Sequence, residues 1–190
     1  MSSTKNIYVD HYDKIDTQSI DFKFIQNQFF RAYLRIPLRQ ENREKVLCII
    51  GQNPSHANQT ICDRTVRYLE ELIYLKTTYT KIIILNLYPR VDTKKIHDDV
   101  DNSECEIHFK TFIQNESDFL LVFGQPKTKK NYKFIERSKK VVSQLQNGNK
   151  NLYKLELGTS YPPHPGNRLI SYKKFLKIVK FDADRFLDEF

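Results

Sequence analysis

Tryptophan is absent from the 190 residues, methionine occurs once, glycine five times and cysteine three times. With so few glycines the chain holds neither a GxGxxG fingerprint nor a phosphate-cradling loop with its lysine, which excludes the common nucleotide-binding α/β designs. Cys48, Cys62 and Cys105 are scattered and odd in number. They form no disulfide framework and no zinc spacing, and they read as reduced thiols of a cytoplasmic protein. Cys62 lies close to the polar stretch described below, but nothing beside it in sequence argues for a reactive thiol. No apolar run approaches the about 20 residues of a membrane span. Residues 1–5 supply no apolar signal core, which argues against secretion. No histidine–carboxylate cluster marks a metal, so neither metal nor cofactor is expected.

What is present is positive charge. There are 31 Lys and Arg against 23 Asp and Glu, a formal net charge of +8, and the pI is about 9.3. Such a balance points to a polyanionic partner, with a merely solvated basic surface as the plainer explanation. The 13 Phe and 11 Tyr supply a core, and any that line a basic groove can stack on bases. Hydrophobic residues make up 39% of the chain, enough for one domain with a substantial core.

Four short apolar runs organise the chain: residues 46–50, 81–88, 118–123 and 152–157. Helical spacing separates them. Asp63 stands where a helix N-cap belongs, ahead of Val66, Leu69, Leu72 and Ile73. Residues 98–115 and 131–146 repeat the pattern. Further helices are expected over 20–30 and over the Lys-rich 172–180, and a strand over 31–38. The alternation of strand and helix predicts an α/β fold, a three-layer sandwich around a central, mostly parallel four-stranded sheet. Residues 1–29 read as an N-terminal extension and 30–190 as a single domain, expected to be a monomer.

The first of these strands runs into Gly51-Gln52-Asn53-Pro54-Ser55-His56. Glycine frees the backbone and Asn-Pro fixes a turn. Polar residues also close the other strands: Asn86, Gly124-Gln125 and His164. In a parallel sheet these ends share one edge, where open α/β sheets place their ligands. Gln52, Asn53, Asn86 and His164 are therefore expected to converge on a small polar ligand. Amides offer both donors and an acceptor, which suits a nucleobase edge, and a histidine can donate to a developing oxyanion. The plainer alternative is that these side chains only satisfy their own turns.

Two resemblances rest on these residues. The Gly51–His56 stretch resembles the GQDPYH water-activating motif of uracil-DNA glycosylases, sharing Gly51, Gln52, Pro54 and His56. Ile84-Leu85-Asn86 resembles that family's LLLN strand, and Leu120–Gly124 followed by Lys127, Lys129 and Lys130 resembles its LLWG-then-lysine segment. His164-Pro165 resembles the start of its HPSPL loop. The fuller pattern is similar to a bacterial and phage domain-of-unknown-function family, number 1643. It comprises Asn53-Pro54-Ser55 with Ala57, Asp63-Arg64-Thr65 with Arg67, Asn86-Leu87 with Arg90 and Thr93, and His164-Pro165.

The glycosylase resemblance implies catalytic roles for Asn53 and His164, and base contacts from Gln52, Asn86 and Ser55. It implies DNA contacts from His56, Lys127, Lys129, Lys130, Arg168 and Leu169. The departures are as informative. Asn53 replaces an aspartate, and a neutral amide positions water but is neither a base nor an anion. Ser55 replaces the tyrosine that blocks the thymine methyl. Gly166-Asn167-Arg168 replaces the wedge segment, leaving Arg168 or Leu169 to take its place. The expectation is a uracil-DNA glycosylase-like protein with weak or no uracil excision, whose basic groove binds DNA or an acidic, DNA-mimicking glycosylase inhibitor. An active DNA glycosylase and an enzyme acting on a modified nucleoside are the alternatives.

Overall fold

In a computed structural model the chain is described over residues 8–41, 44–91, 101–125 and 132–189. The elements in chain order are β1 (Tyr8–Val9), a single 3₁₀ turn (Thr17–Ser19), β2 (Asp21–Ile25), β3 (Phe30–Pro37), β4 (Val46–Gly51), β5 (Cys62–Asp63), α1 (Arg64–Lys76), β6 (Lys81–Asn86), α2 (Ser103–Asn115), β7 (Asp118–Leu121), α3 (Tyr132–Asn147), β8 (Asn151–Leu155), β9 (Ile178–Lys180) and α4 (Ala183–Glu189).

The fold is α/β, built on a mixed sheet of seven strands in the order β2-β3-β6-β4-β7-β8-β9. This corrects the expected four-stranded, mostly parallel sheet. The pairings β4–β6, β4–β7 and β7–β8 are parallel, while β2–β3, β3–β6 and β8–β9 are antiparallel. The additions come from the two ends of the chain, where local pattern misled. Residues 20–30 were expected to be helical because Phe22, Ile25, Phe29 and Phe30 share a helical face. They instead form β2 and a tight turn in which Gln26, Asn27 and Gln28 all take left-handed backbone angles. Residues 172–180 were also expected to be helical. Ser171 and Tyr172 have positive φ, and the chain then extends into β9, held by pairing with β8.

Residues 8–29, part of the stretch 1–29 read as an N-terminal extension, contribute β2 to the sheet and Ile15 and Ile20 to the core.

Central strands bury both faces, so successive residues feed opposite cores. Leu47, Ile49, Ile82, Ile84, Leu120 and Val122 pack with Val66, Leu69, Leu72 and Ile73 of α1. Cys48, Ile50, Ile83, Leu85, Phe119 and Leu121 pack with residues of α2, α3 and α4, among them Phe112, Phe134, Val142 and Phe186. Each fully buried aliphatic or Phe side chain contributes about 1.5–3 kcal/mol. Asp63 caps α1 as its position suggests: Oδ1 accepts from the N–H of Thr65 at 2.6 Å and of Val66 at 2.9 Å. No helix of the described residues is long and apolar enough to cross a membrane.

The candidate functional site

β4 and β6 run parallel with Gly51 opposite Asn86, so the two polar strand ends are level. The ladder continues past them: Leu87 N–H donates to the Gly51 carbonyl at 2.9 Å and Tyr88 N–H to that of Gln52 at 3.0 Å. Gly51 has to be small. A Cβ there would lie 2.9 Å from Asn86 Nδ2. At the end of β7, Gly124 has φ +84°, and a Cβ there would meet the His164 Cβ at 3.3 Å. Its N–H donates to the Pro162 carbonyl at 3.0 Å, which seats the His164 loop beside the sheet edge.

These elements surround a small pocket, a cavity of about 60 Å³. Gln52, Asn53, Ser55, Asn86 and His164 all line it. Its apolar floor is Ile49, Leu69, Ile84 and Val122, and Arg31, Asp63, Thr65 and Val66 complete the wall. All five residues named from sequence as catalytic or base-binding thus sit in one cavity. Ser55 is buried, and its Oγ accepts from Ala57 N–H at 3.3 Å. Both amide atoms of Asn53 are buried without a partner. His164 Nδ1 accepts from Gly166 N–H at 2.9 Å, so the neutral ring carries its proton on Nε2 and can donate from there.

Of the residues named for DNA contact, His56, Arg168 and Leu169 are described, and none of the three lines the cavity. His56 is exposed, its ring 6.4 Å from that of Phe24. Arg168 is exposed and Leu169 is 74% exposed, both on the turn that follows His164. Asn167 shapes that turn: its N–H donates to the His164 carbonyl at 2.8 Å and its Oδ1 accepts from Leu169 N–H at 3.0 Å. Lys127, Lys129, Lys130 and Thr93 lie outside the described residues.

Sequence reasoning missed Arg31. It is the second residue of β3, where Arg31, Tyr33 and Arg35 alternate with Ala32, Leu34 and Ile36, a pattern that reads as a wet face. Yet Arg31 is 3% exposed. Its Nη1 donates to the Ser55 carbonyl and its Nη2 to Asn86 Oδ1, both at 3.2 Å, while Nε has no partner. Burial pushes its pKa down to about 10, against the opposing influence of Asp63 and Tyr8. It remains charged at neutral pH.

Sequence reasoning also saw no cluster of metal-ligand type. The fold brings His11, Cys62 and Glu70 together, with one ligand atom of each within 4.8 Å of the others. These atoms are already engaged. His11 Nδ1 donates to Glu70 Oε1 at 2.5 Å and Nε2 to the Asn58 carbonyl at 2.8 Å. Glu70 Oε2 accepts from Tyr12 N–H at 2.9 Å. The Cys62 thiol donates to the carbonyls of Val9 and Asp10 at 3.5 and 3.4 Å. Burial raises the Cys62 thiol pKa far above its ordinary range, and Cys105 is pushed up to about 12. Both are inert thiols rather than nucleophiles.

The model of one protein family, described as "Protein of unknown function (DUF1643)", matches residues 31–166, a stretch that starts at Arg31 and takes in the whole polar edge. No curated protein and no solved structure matches the chain.

Proposed function

The chain belongs to the DUF1643 family, and from that premise we propose that it is a uracil-DNA glycosylase-like protein whose pocket holds a nucleobase and whose uracil excision is weak or absent. The observation that carries this reading is the convergence of Gln52, Asn53, Ser55, Asn86 and His164 on one cavity at the carboxyl edge of the parallel strands. Asn86 and Gln52 read the base edge. Nε2–H of His164 donates to a base oxygen as negative charge develops there. Asn53 orients water beside the sugar. Lacking charge, it neither takes a proton nor steadies a cationic sugar, and this is why excision is weak. Ser55 leaves the wall open where a larger side chain would exclude a substituted base.

His56, Arg168 and Leu169 are exposed and flank the motif and the His164 loop. In this reading Arg168 meets phosphate and Leu169 props open the stack, while the net charge of +8 draws in the polyanion. An acidic protein that mimics DNA would engage the same face.

The test is uracil release from single-stranded and duplex DNA, with DNA binding measured across a salt series. We expect trace release at most, abolished by Asn86→Ala and by His164→Ala, and binding that weakens as salt rises. Release that survives both substitutions, or DNA binding that is absent or indifferent to salt, contradicts the reading.

A further inference from the structure

Arg31 is a buried cation that no carboxylate among the described residues hydrogen-bonds; Asp63 acts on it only through its charge. Its two hydrogen-bonded acceptors, the Ser55 carbonyl and Asn86 Oδ1, are uncharged. No carboxylate among the described residues forms an ion pair with it. The ionisable groups around it are Asp63, Tyr8 and, in the same pocket wall, His164. The Asp63 carboxylate caps α1 through Oδ1, where it offsets the positive end of the helix. A buried charge with no hydrogen-bonded counter-ion costs several kcal/mol, and an apolar side chain of similar size would serve stability as well or better. The arginine is therefore explained by something the pocket receives.

The polar groups around it say what that is. Arg31 Nε–H is an unused donor, and both Asn53 amide atoms are unused. Because Asn86 Oδ1 is taken by Arg31, its amide is turned with Nδ2 toward Gly51. The acceptor that a neutral imide N–H would need is thus already occupied by a cation, and the end left to read a ligand is a donor. The donors Arg31 Nε–H and Asn86 Nδ2 complement a ligand edge made of acceptors, while the Asp63 carboxylate in the same lining is held by the N–H groups that open α1.

We infer that Arg31 anchors a negatively charged edge of the ligand, so that the pocket selects an acidic oxo-base bound as its anion over neutral uracil. This rests on the base-pocket reading above. The imide proton is lost to solvent, its charge spreads over the flanking carbonyl oxygens, and Arg31 and Asn86 donate to them.

Calorimetric titration of the full chain with uracil, 5-fluorouracil and 6-azauracil tests this. The three bases are close in shape and increase in acidity in that order, and 1,3-dimethyluracil, which cannot ionise, is the control. At neutral pH affinity should rise with acidity, spanning about tenfold from uracil to 6-azauracil, with the control weakest. Arg31→Lys, which keeps a positive charge but loses the planar fork, should flatten the series; circular dichroism verifies its fold. Equal affinity for all three acids, or an unchanged series in Arg31→Lys, overturns the role of Arg31 and leaves the base pocket standing. Failure of every base to bind overturns the base pocket, and this inference with it.

Discussion

Two buried polar clusters meet α1, and they are finished differently. In the first, His11, Glu70 and Cys62 spend every hydrogen-bonding atom on one another or on the backbone of residues 9–12 and 58. In the second, Arg31, Asn53 and Asn86 leave a guanidinium N–H and a whole amide unspent. A satisfied buried network stabilises; an unsatisfied one costs stability and is kept for what it binds. The comparison separates a pin, which fastens residues 8–12 to α1, from a site.

Damage to the pin should have the largest effect on stability. Glu70 is fully buried, and Glu70→Ala strips both His11 and the Tyr12 N–H of their acceptor. Denaturant unfolding should show a loss of about 3–5 kcal/mol, with base affinity of the folded protein unchanged. A loss of binding without a loss of stability would reverse the two assignments.

Acidity gives the next largest effect. Burial drives the His11 pKa down, but the hydrogen bond and charge of Glu70, with the Asn58 carbonyl, outweigh it and hold the value above 6.5. Both ring nitrogens face acceptors, as an imidazolium requires. Protonated His11 therefore stabilises the fold fully below about pH 6.5, and that contribution fades as pH rises through its raised pKa. The unfolding midpoint should fall over that interval, and Glu70→Gln should abolish the dependence. A midpoint indifferent to pH there would show that the ring is neutral in the folded protein.

The smallest perturbation falls on the site. Gly51→Ala places a methyl 2.9 Å from Asn86 Nδ2, and the Arg31 hydrogen bond restricts how far the amide can retreat. Base affinity should drop about tenfold for a stability cost of about 1 kcal/mol. A variant that binds as well as the parent would show that the Asn86 amide does not touch ligand.

The polar edge was legible in sequence because local signals are strong there. Apolar runs of five and four residues, ending in Gly-Gln-Asn-Pro and in Asn86, announce a buried strand and the turn beyond it. Asp63 announced α1 by its capping position. Arg31 was illegible because its burial is imposed from afar, by β6 on one side and the Ser55 turn on the other, while its neighbours Tyr33 and Arg35 are only partly buried. The hairpin of β2 and β3 was hidden for a related reason: phenylalanines at 22, 29 and 30 satisfy a helical period, while those at 22, 24 and 30 fit an alternating one. Only the left-handed run at Gln26–Gln28, with a single Asn as its cue, decides between them. Edge strand β9 exists through its pairing with β8, which no local pattern encodes.

In the proposed reading the pocket takes a base and Asn53 limits what happens to it. Uracil release from single-stranded DNA by the parent protein and by Asn53→Asp, measured side by side, tests it most directly. Little or no release is expected from the parent and a clear gain from Asn53→Asp, where a carboxylate takes the place of the neutral amide. Equal silence from a folded Asn53→Asp protein, or free release by the parent that the substitution does not raise, would contradict it.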